Sequence, residues 1–273
     1  MEVELPSVRC MKYQRIRKSY RSKPKRQWWR NKFIWGVALS VCIAGVFSYN
    51  FLFSPFFQVR ELRVSGNQKT ASGELDKLIW SDLGREIFLF QSRSIFLASP
   101  DRIEQNVIQM FPRIATAELK RELPDILTAT VKEREQVAIW CGEARCFLVD
   151  KEGVIFEESG KEGYFVLQNS GSGEDLRPGQ KVILSEKLSR ILEVKNRAAA
   201  DAQLVVNEVF LASDKRINAR TGEGWEFYIN TSDDISWQMT RLKLVLAEEI
   251  PAEKRPGLEY IDLRFSKVYY KYR

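Results

Sequence analysis

FPRIATAELKRELPDILTATVKEREQVAIW, residues 111–140, is the stretch on which the fold turns. Ala115, Ala117 and Leu119 alternate with Thr116, Glu118 and Lys120, and Leu127, Ala129 and Val131 alternate with Thr128, Thr130 and Lys132. A period of two sends successive side chains to opposite faces of a sheet, so the pattern predicts two half-buried strands. Glu122-Leu123-Pro124-Asp125 supplies the turn between them. Each strand has one apolar face, which needs a cover, and one polar face that can meet water.

The cover lies upstream. Ser99-Pro100-Asp101 marks a helix start, with a cap, a proline at the first position and an acid in the first turn. Ile103, Val107 and Met110 form its buried stripe, and Pro112 ends it. An earlier helix, capped by Thr70 or Ser72, carries Leu75, Leu78, Ile79 and Leu83 at helical spacing and stops at Gly84. The apolar run IFLF at residues 87–90 packs beneath the same fold. Before these, VRELRVSGN at 59–67 alternates Leu62 and Val64 with Glu61 and Arg63, a strand closed by Gly66-Asn67. The order over residues 56–134 is therefore strand, helix, helix, strand, strand, with both helices on one face of a short sheet.

Downstream, residues 138–140 and 147–149 form a hairpin, followed by a short strand at 153–156 and a polar Gly/Ser loop at 169–178. A helix is expected at 185–200, with Leu188, Ile191 and Leu192 inward. Strands are expected at 204–211 and 225–229, the latter with Trp225, Phe227 and Ile229 on one face. A longer helix starts at 231–233, carries Ile235, Met239, Leu242 and Leu246, and ends at Pro251. The last strand is GLEYIDLRF, 257–265. The class is α+β, and the unit at 135–265 is expected to hold an antiparallel sheet. Residues 266–273 read as a C-terminal tail.

Residues 33–53, FIWGVALSVCIAGVFSYNFLF, carry no charge. A helix needs roughly 20 apolar residues to cross a bilayer core. A cleaved signal peptide is the rival reading, but its apolar region is shorter and ends at small residues, unlike Ser54-Pro55-Phe56-Phe57. Residues 1–32 hold eleven of the 43 Lys/Arg and two of the 36 acids, so the net charge of +7 belongs to this tail. Basic flanks stay cytoplasmic, which places the tail inside and residues 54–273 outside the membrane. Trp28, Trp29 and Trp35 flank one interface, and Tyr49, Phe51 and Phe53 the other. The tail reads as a topology signal touching anionic lipid. Nucleic-acid binding is the alternative and is not expected.

The chain contains no histidine. That removes Ser-His-Asp and Cys-His chemistry and the HExxH zinc sites. No phosphate-cradling glycine loop is present, and acid pairs such as Glu157-Glu158 and Asp233-Asp234 are sequence neighbours that do not face each other. No enzyme, cofactor or metal is expected. Of four cysteines, Cys10 falls in the tail and Cys42 in the apolar run. The turn between Cys141 and Cys146 brings them together across a hairpin, where they can form a disulfide in an oxidising compartment or stay as free thiols.

Four pieces in this order resemble the bacterial cell-division family FtsQ/DivIB: VRELRVSGN at 59–67, the central run at 111–140, LVDKEGVIFEE at 148–158 and EYIDLRF at 259–265. The chain departs from the family pattern at Leu123 and Arg113, where tryptophan is common, and in its ending SKVYYKYR. The resemblance implies a POTRA domain at 56–134 and the family's β domain at 135–265. It also implies a non-enzymatic divisome role at the septum. There the family links early division proteins to FtsB/FtsL-like partners, with FtsW/FtsI and FtsK-like proteins further along, and so helps to control septal peptidoglycan synthesis. A POTRA-bearing envelope transport factor, and a membrane-anchored cell-wall enzyme or glycan binder, are the alternatives.

A terminal strand with unpaired backbone groups can accept a partner strand. The expected contact residues are Tyr260, Leu263, Arg264 and Phe265, with Tyr269, Tyr270 and Tyr272 beyond them. Core packing is the competing role for Tyr260 and Leu263, and a frayed end for the terminal tyrosines. Arg121, Pro124, Glu133 and Arg134 fall on family motif positions, where the residues themselves favour a structural role.

Overall fold

The computed structural model describes residues 32–87, 90–142, 145–160, 165–169 and 176–273. The chain divides into two units, Met1–Asn50 and Phe51–Arg273. Helix α1 (Lys32–Phe53) runs 22 residues, about 33 Å at the standard rise. Among the described residues it is the one helix long and apolar enough to cross a membrane. Its polar side chains turn back on its own backbone: Ser40 Oγ donates to the Gly36 carbonyl at 3.0 Å and Asn50 Nδ2 to the Val46 carbonyl at 2.8 Å. Neither therefore needs an outside partner.

The second unit opens with a 3-10 turn, Pro55–Phe57, capped by Ser54 Oγ, which accepts the Phe56 N–H at 3.3 Å. Strand β1 (Glu61–Ser65), helix α2 (Ser72–Leu83), the short hairpin β2 (Arg85–Ile87) and β3 (Phe90–Ser92), helix α3 (Pro100–Met110) and strands β4 (Ile114–Glu122) and β5 (Ile126–Glu133) follow. The sheet order is β1-β5-β4, with β1 parallel and β4 antiparallel to β5. Leu75, Ile79 and Leu83 of α2 and Ile103 and Val107 of α3 bury against Leu119, Leu127, Ala129 and Val131.

Three local expectations change here, and a fourth is only partly described. Met110 is exposed, because α3 ends there and its stripe closes at Val107. The β4 register shifts between Ile114 and Thr116, so Ile114 takes the buried place expected for Ala115. The α2 N-cap is Ala71, because Glu133 has already taken the loop before it. The 87–90 run lies partly outside the described residues.

The second sheet has nine strands. They are β6 (Ala138–Cys141), β7 (Cys146–Val149), β8 (Ile155–Glu158), β9 (Val166–Gln168), β10 (Val206–Leu211), β11 (Arg216–Thr221), β12 (Glu226–Asn230), β13 (Leu258–Asp262) and β14 (Tyr269–Tyr272). Their order is β14-β13-β12-β11-β10-β9-β6-β7-β8. The sheet is mixed rather than antiparallel throughout: β6 with β9, β9 with β10, and β12 with β13 run parallel. Helices α4 (Ser185–Ala202) and α5 (Ile235–Glu248) bury Leu188, Ile191, Val194, Met239, Leu242 and Leu246 in the same core as Trp140, Phe227 and Ile261. Cys141 and Cys146 are register partners across β6 and β7 and are disulfide-bonded.

Gly66, between β1 and α2, has φ +87°, and a Cβ there would stand 2.0 Å from the Val131 carbonyl oxygen. Both backbone strain and steric overlap oppose any side chain. Gly66→Ala is expected to lower stability by roughly 2–4 kcal/mol. Denaturant unfolding of the detergent-solubilised chain, followed by tryptophan fluorescence, measures this. A change below about 0.5 kcal/mol would be the size of an ordinary surface substitution and would contradict it.

Candidate functional site at the C-terminal sheet edge

Helix α5 sets the geometry of this end. Asp234 caps it by accepting the Trp237 N–H at 3.2 Å, and the Gln238 amide bonds the Asn230 N–H and carbonyl at 3.1 and 2.9 Å. These bonds tie the start of α5 to the end of β12. Further along, the Arg241 guanidinium donates to the carbonyls of Leu263, Phe265 and Ser266. A single planar fork thereby holds the turn that leads from β13 to β14.

β13 lies between two strands. Tyr260, Ile261 and Asp262 pair with Glu226, Phe227 and Tyr228 on one side and with Lys271, Tyr270 and Tyr269 on the other. Register partners share a face. Phe227, Ile261 and Tyr270 therefore face the helices, while Tyr228, Asp262 and Tyr269 occupy the opposite face. The Leu263 N–H reaches the Tyr228 carbonyl at 3.0 Å, and the Arg273 N–H reaches the Gly257 carbonyl at 2.9 Å. Alternation from these bonds turns the backbone groups of Tyr270 and Tyr272 outward, away from β13.

Two expectations are corrected. The strand at 257–265 is not the sheet edge, because residues 269–272 form β14 and cover it rather than trailing as a tail. The turn fixed by Arg241 and the strand preference of the tyrosines explain the added strand. Leu263 is fully buried, which favours the competing core role over partner contact. The remaining residues form three separate ring pairs along β12, β13, the turn and β14. Tyr260 is half-buried and stacks on Tyr228 at 4.9 Å, with 17° between the rings. Phe265 and Tyr269 are exposed and meet edge-to-face at 6.0 Å, as do Tyr270 and Tyr272 at 5.9 Å. Arg264 grips Asp262 with two nitrogens, at 2.9 and 2.6 Å, and its guanidinium lies 5.2 Å from the Phe265 ring. Burial pushes the Asp262 carboxyl up, but hydrogen bonds from the Arg264 side chain and backbone outweigh it and hold the group below its ordinary value.

Arg121, Pro124, Glu133 and Arg134 lie elsewhere. Arg121 donates to the Ala98 carbonyl at 2.6 Å, and Pro124 sits in the β4–β5 turn. The Glu133 carboxylate accepts the N–H groups of Gln68, Lys69 and Thr70 at 3.0, 3.0 and 2.8 Å. Arg134 bonds Asp150 and the Pro112 carbonyl. Sequence reasoning missed Arg241, Tyr228 and Arg216, whose guanidinium lies 4.7 Å from the Tyr228 ring. The one available signal was an arginine beside the apolar stripe of α5.

Arg241→Ala is expected to loosen the 263–268 turn. It should cost about 1.5–3 kcal/mol for lost charged hydrogen bonds and speed amide exchange along β14. Hydrogen–deuterium exchange that leaves β14 as protected as before would contradict this. Asp262 makes a pH-dependent contribution. Its folded pKa is depressed, so its stabilisation is present above the unfolded value near 3.9 and is lost as pH falls through the folded one. Asp262→Asn should therefore be less stable than the parent at pH 7, and the gap should close below about pH 4. A gap that stays constant with pH would assign the effect to something other than this carboxylate.

Comparison with known proteins bears on what such an edge serves. A family model described as POTRA domain, FtsQ-type, matches residues 57–134, and one described as Cell division protein FtsQ/DivIB, C-terminal, matches residues 138–264. A cell division protein DivIB of Clostridium acetobutylicum is 28% identical over 104 residues, 38% of this chain and 38% of that protein. A cell division protein FtsQ of Koribacter versatilis is 27% identical over 124 residues, 45% of this chain and 32% of that one. The matched stretch covers less than half the length of either relative. With both domain models matched in order along the second unit, the chain belongs to the FtsQ/DivIB family of cell division proteins.

Proposed function

We propose that this chain is a membrane-anchored, non-enzymatic scaffold of the divisome that captures a partner strand at the outer edge of β14. In this reading residues 33–53 of α1 cross the inner membrane once, residues 1–32 face the cytoplasm and residues 54–273 form the external body at the septum. Residues 56–134 and 135–265 act as its two domains, with β14 completing the second. The captured partners are FtsB/FtsL-like proteins, through which the chain links early division proteins to the late septal peptidoglycan synthases. A shared membrane confines both sides to two dimensions and raises their effective concentration without any new contact.

The carrying observation is the contrast between β14 and the other sheet ends. Glu104 of α3 accepts the outward Leu119 N–H of β4 at 2.7 Å. The start of β8 is covered by residues 179–182, where the Ile155 N–H donates to the Gln180 carbonyl at 2.9 Å. Strand β1 bears two charges, Glu61 and Arg63, that discourage pairing, against the single Lys271 of β14. β14 instead carries three exposed tyrosines, one of them, Tyr269, against Phe265; tyrosine is among the residue types enriched at interface hot spots. A partner strand would gain its affinity from main-chain bonds and its specificity from these rings.

The test separates backbone from side chain. In the reconstituted full chain, Tyr270→Pro removes the outward N–H together with the ring, whereas Tyr270→Ala removes only the ring. Tyr270→Pro is expected to weaken binding of an FtsB-like partner at least tenfold beyond Tyr270→Ala, about 1.4 kcal/mol, with Phe265→Glu weakening it too. Equal affinity for the alanine and proline variants would sink strand capture.

A further inference from the structure

We infer that the seam formed by residues 55–60 and 93–96 is a lipid-binding foot that seats the external body on the bilayer interface. This rests on α1 being a membrane anchor.

Within the second unit, four phenylalanine rings gather at this seam. The ring of Phe51 lies 4.3 Å from Phe96 and 5.0 Å from Phe57, and Phe57 lies 5.1 Å from Phe56 and 5.3 Å from Phe96. The cluster is built by the fold and not by local sequence alone. The Ile95 N–H donates to the Phe57 carbonyl at 2.9 Å, the Val59 N–H donates to the Arg93 carbonyl at 3.0 Å, and Gln58 bridges Ser94. Two segments far apart in the chain are thereby stitched together directly after the apolar run. Yet the cluster is left open: Phe56 is 60% exposed and Phe51 47%. Four clustered rings with this much exposure ask for an apolar cover.

Two exposed cations belong to the same two segments. Arg60 folds back to donate to the Pro55 carbonyl at 3.0 Å, and the Arg93 guanidinium lies 5.6 Å from the half-buried Trp80 ring. Aromatic rings edged by arginine are the composition that settles at the headgroup boundary, rings in the acyl margin and guanidinium at the phosphates. Reach decides in favour of lipid over a protein partner. Phe56 follows the last residue of α1 by three positions, at most about 11 Å of extended chain. The interfacial layer is itself on the order of 5–7 Å deep on each side, so these rings cannot stand far from it.

Nitroxide accessibility in the full chain, reconstituted in phosphatidylethanolamine–phosphatidylglycerol vesicles, tests the foot. Cys10 and Cys42 are replaced by serine, and single labels are placed at Phe56→Cys, Arg93→Cys, Ile43→Cys and Lys254→Cys. Position 43 reports the span and position 254 reports water. Relaxation by a water-soluble nickel chelate is expected at 254 and lost at 56 and 93, with oxygen relaxation at 56 approaching that at 43. In the Phe56→Cys chain, Arg60→Glu with Arg93→Glu should return the label to water. Labels at 56 and 93 as open to nickel as 254, with 43 still in lipid, would overturn the foot alone. Nickel access at 43 would instead remove the anchor on which it stands. Protection at 56 that survives the double arginine replacement would overturn the role given to the guanidinium groups.

Discussion

Arg134 stands where one sheet ends and the other begins, and the arrangement of the external body depends on it. It follows β5 directly, takes the Arg113 carbonyl with its own N–H at 2.7 Å and the Pro112 carbonyl with Nε at 3.0 Å, and pairs its guanidinium with Asp150. Asp150 is almost fully buried and also accepts the Glu152 and Val154 N–H groups, at 3.0 and 2.9 Å, in the turn before β8. A buried pair with both carboxylate oxygens engaged adds little net stability over an apolar substitute, but losing one partner strands the other at about 3–5 kcal/mol. Its value is geometric: the end of the first sheet and the β7–β8 turn of the second cannot move apart without breaking it. Arg113 adds a second tie across the same seam through Glu157 and the Phe156 ring, 5.6 Å away.

A similar logic operates at the other end of the second sheet. Arg241 reaches carbonyls of the 263–266 turn, and Arg264 locks Asp262, so two guanidinium groups fix a turn whose apolar anchors are Leu263 and the partly buried Val268. Lysine in either place would supply charge without the planar fork. The face carrying Tyr228 and Tyr260 is thereby ordered before any partner arrives, which lowers the entropy lost on binding.

Alternation and helical spacing made most of the fold legible. The strands around the 123–125 turn, the α2 and α3 stripes and the α5 stripe at Ile235, Met239, Leu242 and Leu246 follow the expected periods. The failures have physical causes. β11 alternates correctly, but through Ile217, Ala219 and Thr221, whose weak apolar contrast hides the period. Asp262 and Leu263 are both buried although adjacent, because the strand ends at Asp262 and an ion pair makes the burial of the carboxylate tolerable. β14 was hidden because its aromatic and basic residues have no buried face to mark them; what creates the strand is the Arg241 clamp from a helix more than twenty residues earlier. The site was legible as a set of residue types, and illegible as an edge, for that reason.

Closing the wrong edges matters as much as leaving one open. Apart from the β2–β3 hairpin, the two larger sheets among the described residues have four terminal strands, and any of them could pair with a second copy or a misplaced partner. In this molecule the guards are cheap: one carboxylate, Glu104, occupies the N–H at the middle of β4, and a loop occupies the start of β8. Membrane confinement would sharpen the need for them, since the same concentration effect that favours the proposed partner also favours unwanted pairing between neighbours. Specificity is a difference between affinities, and in the scaffold reading it comes from this asymmetry. The β14 edge need not bind tightly on its own account. It need only offer outward groups that neither a side chain nor a loop has taken, on a strand whose exposed rings favour pairing.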